Sequence, residues 1–137
     1  MRIPKFEAQT EWVKPTEFPD LRKVDEIAID LETRDPDLIK KGSGAVIGNG
    51  EVIGIAVATS FYKGYFPIAH EGGGNMDEVK VLGWLKDILE APSTKIFHNA
   101  MYDVCWLKAM GFKINGDIVC TMIAAAVTDE NRFRYDL

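Results

Sequence analysis

Glu26–Leu31 alternates, with Ile27, Ile29 and Leu31 to one side and Ala28, Asp30 and Glu32 to the other. A period of two is that of a β-strand with one buried face. Val52–Thr59 predicts a second strand whose faces differ in size: Ile53, Ile55 and Val57 on one, Gly54, Ala56 and Ala58 on the other. A face that small admits the close approach of a helix or another backbone. Lys63–Ala69 predicts a third strand. Its Pro67 suits a sheet edge, and the short link before it predicts an antiparallel hairpin. From Met76 to Glu90 the pattern turns helical, with Val79, Leu82, Leu85 and Leu89 on one stripe, Asn75 as cap, Asp77 and Glu78 in the first turn and Pro92 beyond the end. Ile96–His98 predicts a short strand. A second helix runs from Asn99 or Ala100 to Met110 and stops at Gly111. Ile114–Val119 predicts a fifth strand, and Thr121–Val127 a third helix. The order β-β-β-α-β-α-β-α describes an α/β protein, a mixed sheet with helices on its faces.

Residues 1–24 contain Pro4, Pro15 and Pro19, with Trp12 and Phe18 among polar neighbours. They read as an extended leader lying over a domain of residues 25–137. The connection from Thr33 to Gly50 is polar and long for a hairpin, a length that usually serves function. A chain of 137 residues is one domain. With 47% hydrophobic and 27% charged residues it is globular rather than disordered. Sixteen basic residues against 21 acidic ones, a net charge of −5, argue against a protein that coats a duplex with Lys and Arg. A nucleic acid would be gripped locally, at an end, with bound cations supplying positive charge. Cys105 and Cys120 match no zinc spacing and read as buried, reduced thiols. No apolar run is long enough for a signal peptide or a membrane span. The expected location is the cytoplasm of a bacterial or phage-infected cell, with no membrane partner.

Asp30 and Glu32 lie two residues apart on the same face of an otherwise apolar strand. Carboxylates so placed repel each other and lose solvation, which a divalent cation such as Mg²⁺ or Mn²⁺ would offset. From the pair alone, a strand end where both side chains reach water is the commoner arrangement. Asp103, one turn into the helix after Ile96–His98, is a third candidate. An acid in a first helical turn is also expected from the helix dipole alone. His70 starts a loop and His98 ends a strand, and both read as structural.

Taken together, Ile29-Asp30-Leu31-Glu32-Thr33 on a first strand and His98-Asn99-Ala100-Met101-Tyr102-Asp103 at a later strand–helix junction resemble the 3′→5′ proofreading exonuclease domain of family A DNA polymerases, within the group named DEDD for its four acidic residues. Tyr65-Phe66-Pro67-Ile68-Ala69-His70 looks like that family's third strand. Glu17–Leu21, Gly50–Ala56 and His70–Asp77 are similar to bacteriophage polymerases. The resemblance covers nearly the whole chain. It implies a ribonuclease-H-like fold and two-metal hydrolysis of the terminal phosphodiester of DNA, with two Mg²⁺ or Mn²⁺ ions as cofactors. By matching positions, Asp30 would bridge both metals, Glu32 would hold the nucleophilic side and Asp103 would support the second metal. Thr33 and Asn99 would contact the terminal nucleotide, Leu31 would lie beside the base, and Tyr102 would pack next to it. The implied partners are the 3′ end of single-stranded or frayed DNA, and a polymerase domain or a separately encoded remainder of the nuclease.

The resemblance also implies a fourth carboxylate, in a motif Tyr-x-x-x-Asp well beyond the second motif. Here Tyr135 and Asp136 are adjacent and do not form it. The sequence therefore reads as the N-terminal part of the domain, C-terminally truncated and weak or inactive alone. Two alternatives carry the same acidic motifs: an RNA 3′-trimming nuclease, and a binding or assembly module that kept the fold and lost the chemistry.

Overall fold

The computed structural model describes residues 10–137; the first nine residues of the expected leader lie outside them. Strand β1 (Glu26–Arg34) leads into two short helices, α1 (Leu38–Lys41) and α2 (Gly44–Ile47). Strands β2 (Glu51–Ala58) and β3 (Lys63–Pro67) follow, then α3 (Glu78–Glu90), β4 (Thr94–Phe97), α4 (Ala100–Ala109), β5 (Ile118–Cys120) and α5 (Thr121–Thr128). The sheet order is β3-β2-β1-β4-β5. β1, β2 and β3 form the antiparallel meander, and β4 and β5 join in parallel. The predicted order is therefore observed, with α1 and α2 added inside the long polar connection. Pro67 does sit on an edge strand. No helix among the described residues is long and apolar enough to cross a membrane.

Alternation sorts β1 as expected. Ile27, Ile29 and Leu31 are buried, while Asp30 and Glu32 are exposed on the opposite face. The buried side joins Ile55, Val57, Phe66, Phe97 and Leu107 in one core with Val81, Leu85, Ile88 and Leu89 of α3. That helix differs from its predicted form. Asp77 is the cap, its side chain accepting from the Lys80 N–H at 3.1 Å. Asn75 is instead clasped to His70, accepting from its N–H and donating to its carbonyl. The buried stripe is Val81, Leu85, Ile88 and Leu89, and Val79, expected on it, is 81% exposed. β5 begins later than expected, at Ile118, because residues 112–117 run irregularly past the end of α3, where the Asn115 amide donates to the Glu90 carbonyl at 2.7 Å.

Two anchors brace this frame. Lys95 on β4 is fully buried, and its ammonium donates to the carbonyls of Ser93 (2.9 Å), Asn115 (2.8 Å) and Ala91. A buried charge is tolerable when its donors are satisfied in this way. The second anchor is the leader. Phe18 stacks on Phe66 at 5.9 Å and meets Trp84 at 5.7 Å, and the Trp84 indole N–H donates to the Pro19 carbonyl at 2.7 Å. Leu21 is fully buried. Leu21 is thus part of the core, while Phe18 lies exposed against Phe66 and Trp84 at its margin. Cys105 and Cys120 are free and half-buried, less enclosed than the sequence suggested.

Leu21→Ala should cost about 2–5 kcal/mol, the usual range for emptying a buried leucine site. A urea midpoint unchanged from wild type would show that the core closes without the leader.

Candidate active site

Three devices aim the acidic side chains. The first is a bulge. Pairing between β1 and β2 passes from Glu32↔Gly54 to Thr33↔Val52, which leaves Ile53 unpaired in the ladder. Such an irregularity bends a strand and re-aims its side chains, here directly after Glu32. The second is Asn99, with φ 62° and ψ 57° at the start of α4. It is the one non-glycine residue with positive φ among the described residues. Asn tolerates this left-handed region better than most residues, and the sharp turn it makes sends α4 off the end of β4. The third is a polar clamp. The Tyr102 hydroxyl lies 2.8 Å from the Thr33 hydroxyl and donates to Asp35 at 2.9 Å, and Asp35 accepts from the Gly44 N–H. This ties α4, the end of β1 and the long connection together. Asp35 could not be singled out from the sequence, because nothing local marks the partner of a side chain 67 residues away.

The result is an electrostatically loaded corner. Asp103 is only 3% exposed, and its Oδ2 has no hydrogen-bond partner. Burial, then the negative charges of Asp30 and Glu32, push its carboxyl up to about 7, against a lowering from the Leu31 N–H. Asp30 is exposed on one side, yet enough protein surrounds its carboxyl that burial raises it, and only the nearby His98 opposes this. The three predicted carboxylates therefore share one neighbourhood. They do not converge into a finished cage: among the described residues no three acidic, imidazole or thiol groups are close enough to hold a metal ion as they stand. The donor set still suits Mg²⁺ or Mn²⁺, since it is all oxygen and includes a buried oxygen with nothing to bind.

The remaining candidates are placed as follows. The Leu31 side chain belongs to the core, so only its backbone faces the site. Thr33 and Tyr102 are bound to each other. Asn99 is exposed, and its side chain makes no capping bond. His98 is held at both nitrogens: Nε2–H donates to the Tyr135 carbonyl at 2.6 Å, and Nδ1 lies 2.9 Å from the Thr121 hydroxyl. Beside Asp30 opens a groove of about 730 Å³, floored by the small residues Ala28, Ala56 and Ala58 and flanked by Trp12, Tyr62 and Tyr65.

Residues 16–136 match the family model for the 3′-5′ exonuclease found in family A DNA polymerases. Over 81 residues the chain is 43% identical to a DNA-directed DNA polymerase of Pseudomonas phage M6, a match that covers 56% of this chain and 12% of that polymerase. The chain thus spans a small fraction of the curated relative's length. Among solved structures it is similar to Brucella melitensis NrnC with bound Mg²⁺, at TM-score 0.55 and 22% identity over 86% of this chain and 52% of that one. It is also similar to Pol1 from M. smegmatis in complex with DNA primer-template and dNTP, at TM-score 0.59 and 14% identity over 91% of this chain and 20% of that one. These likenesses bear out the expected ribonuclease-H-like fold.

The Asp103 carboxyl gives metal-free stability a definite sign. Its folded value lies above the ordinary carboxylate value, so the folded state holds the proton more tightly than the unfolded state. That contribution is complete below about pH 4 and is lost as the pH rises through about 7. In EDTA the melting temperature should fall over this window, and Asp103→Asn should remove most of the fall. An equal slope in the variant would contradict the assignment.

Proposed function

Because the chain belongs to the 3′-5′ exonuclease family of family A DNA polymerases, we propose that it is the nuclease part of a phage-type polymerase and hydrolyses the terminal phosphodiester of a DNA strand from its 3′ end. One observation carries this reading: a buried carboxyl, Asp103, with an unpartnered oxygen beside two further carboxylates on an adjoining strand. A purely structural fold gains nothing from such a cluster, because each charge raises the cost of the others. Asp30, Glu32 and Asp103 would hold two Mg²⁺ or Mn²⁺ ions. Bound there, the ions would supply an activated water and neutralise charge developing on phosphorus and the leaving oxygen.

The chain's own groups prepare the rest. Leu31 offers backbone to the site while its side chain fixes the strand in the core. Thr33, Asn99 and Tyr102 would meet the terminal nucleotide, Tyr102 after exchanging its bond to Thr33. The substrate is the 3′ end of single-stranded or frayed DNA, and the setting is the cytoplasm of a phage-infected cell. The chain's partners would include a polymerase domain or a separately encoded remainder of the nuclease. The RNA 3′-trimming reading shares the fold and the three carboxylates, so substrate choice separates the two.

A 5′-labelled single-stranded DNA incubated with stoichiometric chain and Mn²⁺ should shorten slowly from its 3′ end. Asp30→Ala should reduce the rate by about 100-fold or more, the upper range for loss of a metal-site residue. Mn²⁺ should also raise the melting temperature of the wild type and leave that of Asp30→Ala unchanged. An identical ladder from the variant would assign the activity elsewhere, and faster loss of an RNA of the same sequence would favour the RNA reading.

A further inference from the structure

Tyr65 shares a row with Asp30. The register Asp30↔Ala56↔Tyr65 crosses three strands, and the next row is Glu32↔Gly54↔Pro67. Residues directly opposite on neighbouring strands point to the same face, so Tyr65 rises on the carboxylate face. Its ring does not stand upright but leans along the sheet onto Gly54. A Cβ built on Gly54 would lie 1.9 Å from the Tyr65 hydroxyl oxygen and 2.4 Å from the ring carbon that bears it. Only a residue without a side chain permits this lean, and the lean carries the hydroxyl out of the Asp30 row into the Glu32 row.

The other side of that hydroxyl is fixed. Tyr65 Oη and His70 Nε2 are 2.5 Å apart. His70 is itself held by the double hydrogen bond between its backbone and the Asn75 side chain, at 2.8 and 2.9 Å. Glu32 and Asp30 lie near enough for their charges to act on the phenol. A phenol has one proton. If His70 donates Nε2–H to the phenol oxygen, that proton is released toward the carboxylates, where a neutral donor can hold an anion without adding charge.

We propose that Tyr65, seated over Gly54 and held by His70, is a positioning residue that orients the Glu32 side of the acidic site. The inference rests on the exonuclease reading and adds to it a dyad from β3 and the loop after it. Tyr65 acts through Glu32 and is not itself a catalytic residue. The glycine at position 54, the tyrosine and the histidine form one device: the first makes room, the second supplies the donor and the third fixes which way the donor points. A tyrosine needed only for packing would keep its ring and have no use for its hydroxyl.

The test is the Mn²⁺ affinity of the full chain, read from the electron paramagnetic resonance signal of free Mn²⁺. Tyr65→Phe keeps the ring over Gly54 and removes only the hydroxyl. It should weaken Mn²⁺ binding about 10-fold, as loss of a group that orients a ligand does, with no change in the melting temperature of the metal-free protein. His70→Gln, whose amide N–H can take the place of Nε2–H, should retain most of the affinity, and His70→Ala should lose as much as Tyr65→Phe. If Tyr65→Phe proves unfolded, the two His70 variants give the same comparison. Wild-type affinity in Tyr65→Phe and His70→Ala would overturn the proposal while leaving the metal site standing. A wild-type chain that binds no Mn²⁺ would overturn the metal site and this inference together.

Discussion

A buried carboxyl set beside two exposed ones is the constraint around which this molecule is built. Asp103 is almost wholly enclosed, one of its oxygens has no partner, and Asp30 and Glu32 stand beside it. Burial and the charges of Asp30 and Glu32 make the ionised form of Asp103 costlier. Such an arrangement persists only where a rigid surround over-determines it. The surround is visible: buried Ile27, Ile29 and Leu31 lock β1 from below, Lys95 joins β4 to the end of α3 through three carbonyls, and the Thr33–Tyr102–Asp35 clamp fixes α4 to β1. The Asp103 carboxyl is thereby held at a rigid corner beside the other two acids.

The division of labour across the sheet follows from side-chain size. One face carries large aliphatic residues and forms the core. The other carries Ala28, Gly54, Ala56 and Ala58, too small to cover the strands, and leaves the groove beside Asp30. Smallness has two consequences there. It keeps the sheet face accessible, and at Gly54 it lets Tyr65 lie flat enough to put its hydroxyl next to the Glu32 row. The bulge at Ile53 falls at the same place, so strand geometry and side-chain geometry are both adjusted around Glu32.

Much of this was legible in the sequence because it is periodic. The alternation of Glu26–Leu31 put Asp30 and Glu32 on one face, Pro67 assigned β3 to an edge, and the spacing from Asn99 to Asp103 placed an acid on the first turn of a helix. What was not legible depends on partners distant along the chain. Leu21 looks like part of a polar leader until Phe18 is seen stacked on Phe66 and Trp84. Asn75 looks like a helix cap until its amide is found on His70, which leaves the cap to Asp77. The depth of Asp103 is likewise a tertiary property, since an exposed acid at a helix start has the same local sequence. Tyr65 stands out in the sequence only within a strand motif and His70 only as a loop residue, for the lean onto Gly54 needs the register of three strands.

Asp30, Glu32 and Asp103 are proposed to form one cation site. Anomalous diffraction from crystals soaked in Mn²⁺ tests it most directly. A Mn²⁺ peak should appear bounded by these three carboxylates, with Asp103 Oδ2 among the coordinating atoms. Density for Mn²⁺ only at surface acids, with Asp103 still unpartnered, would contradict it.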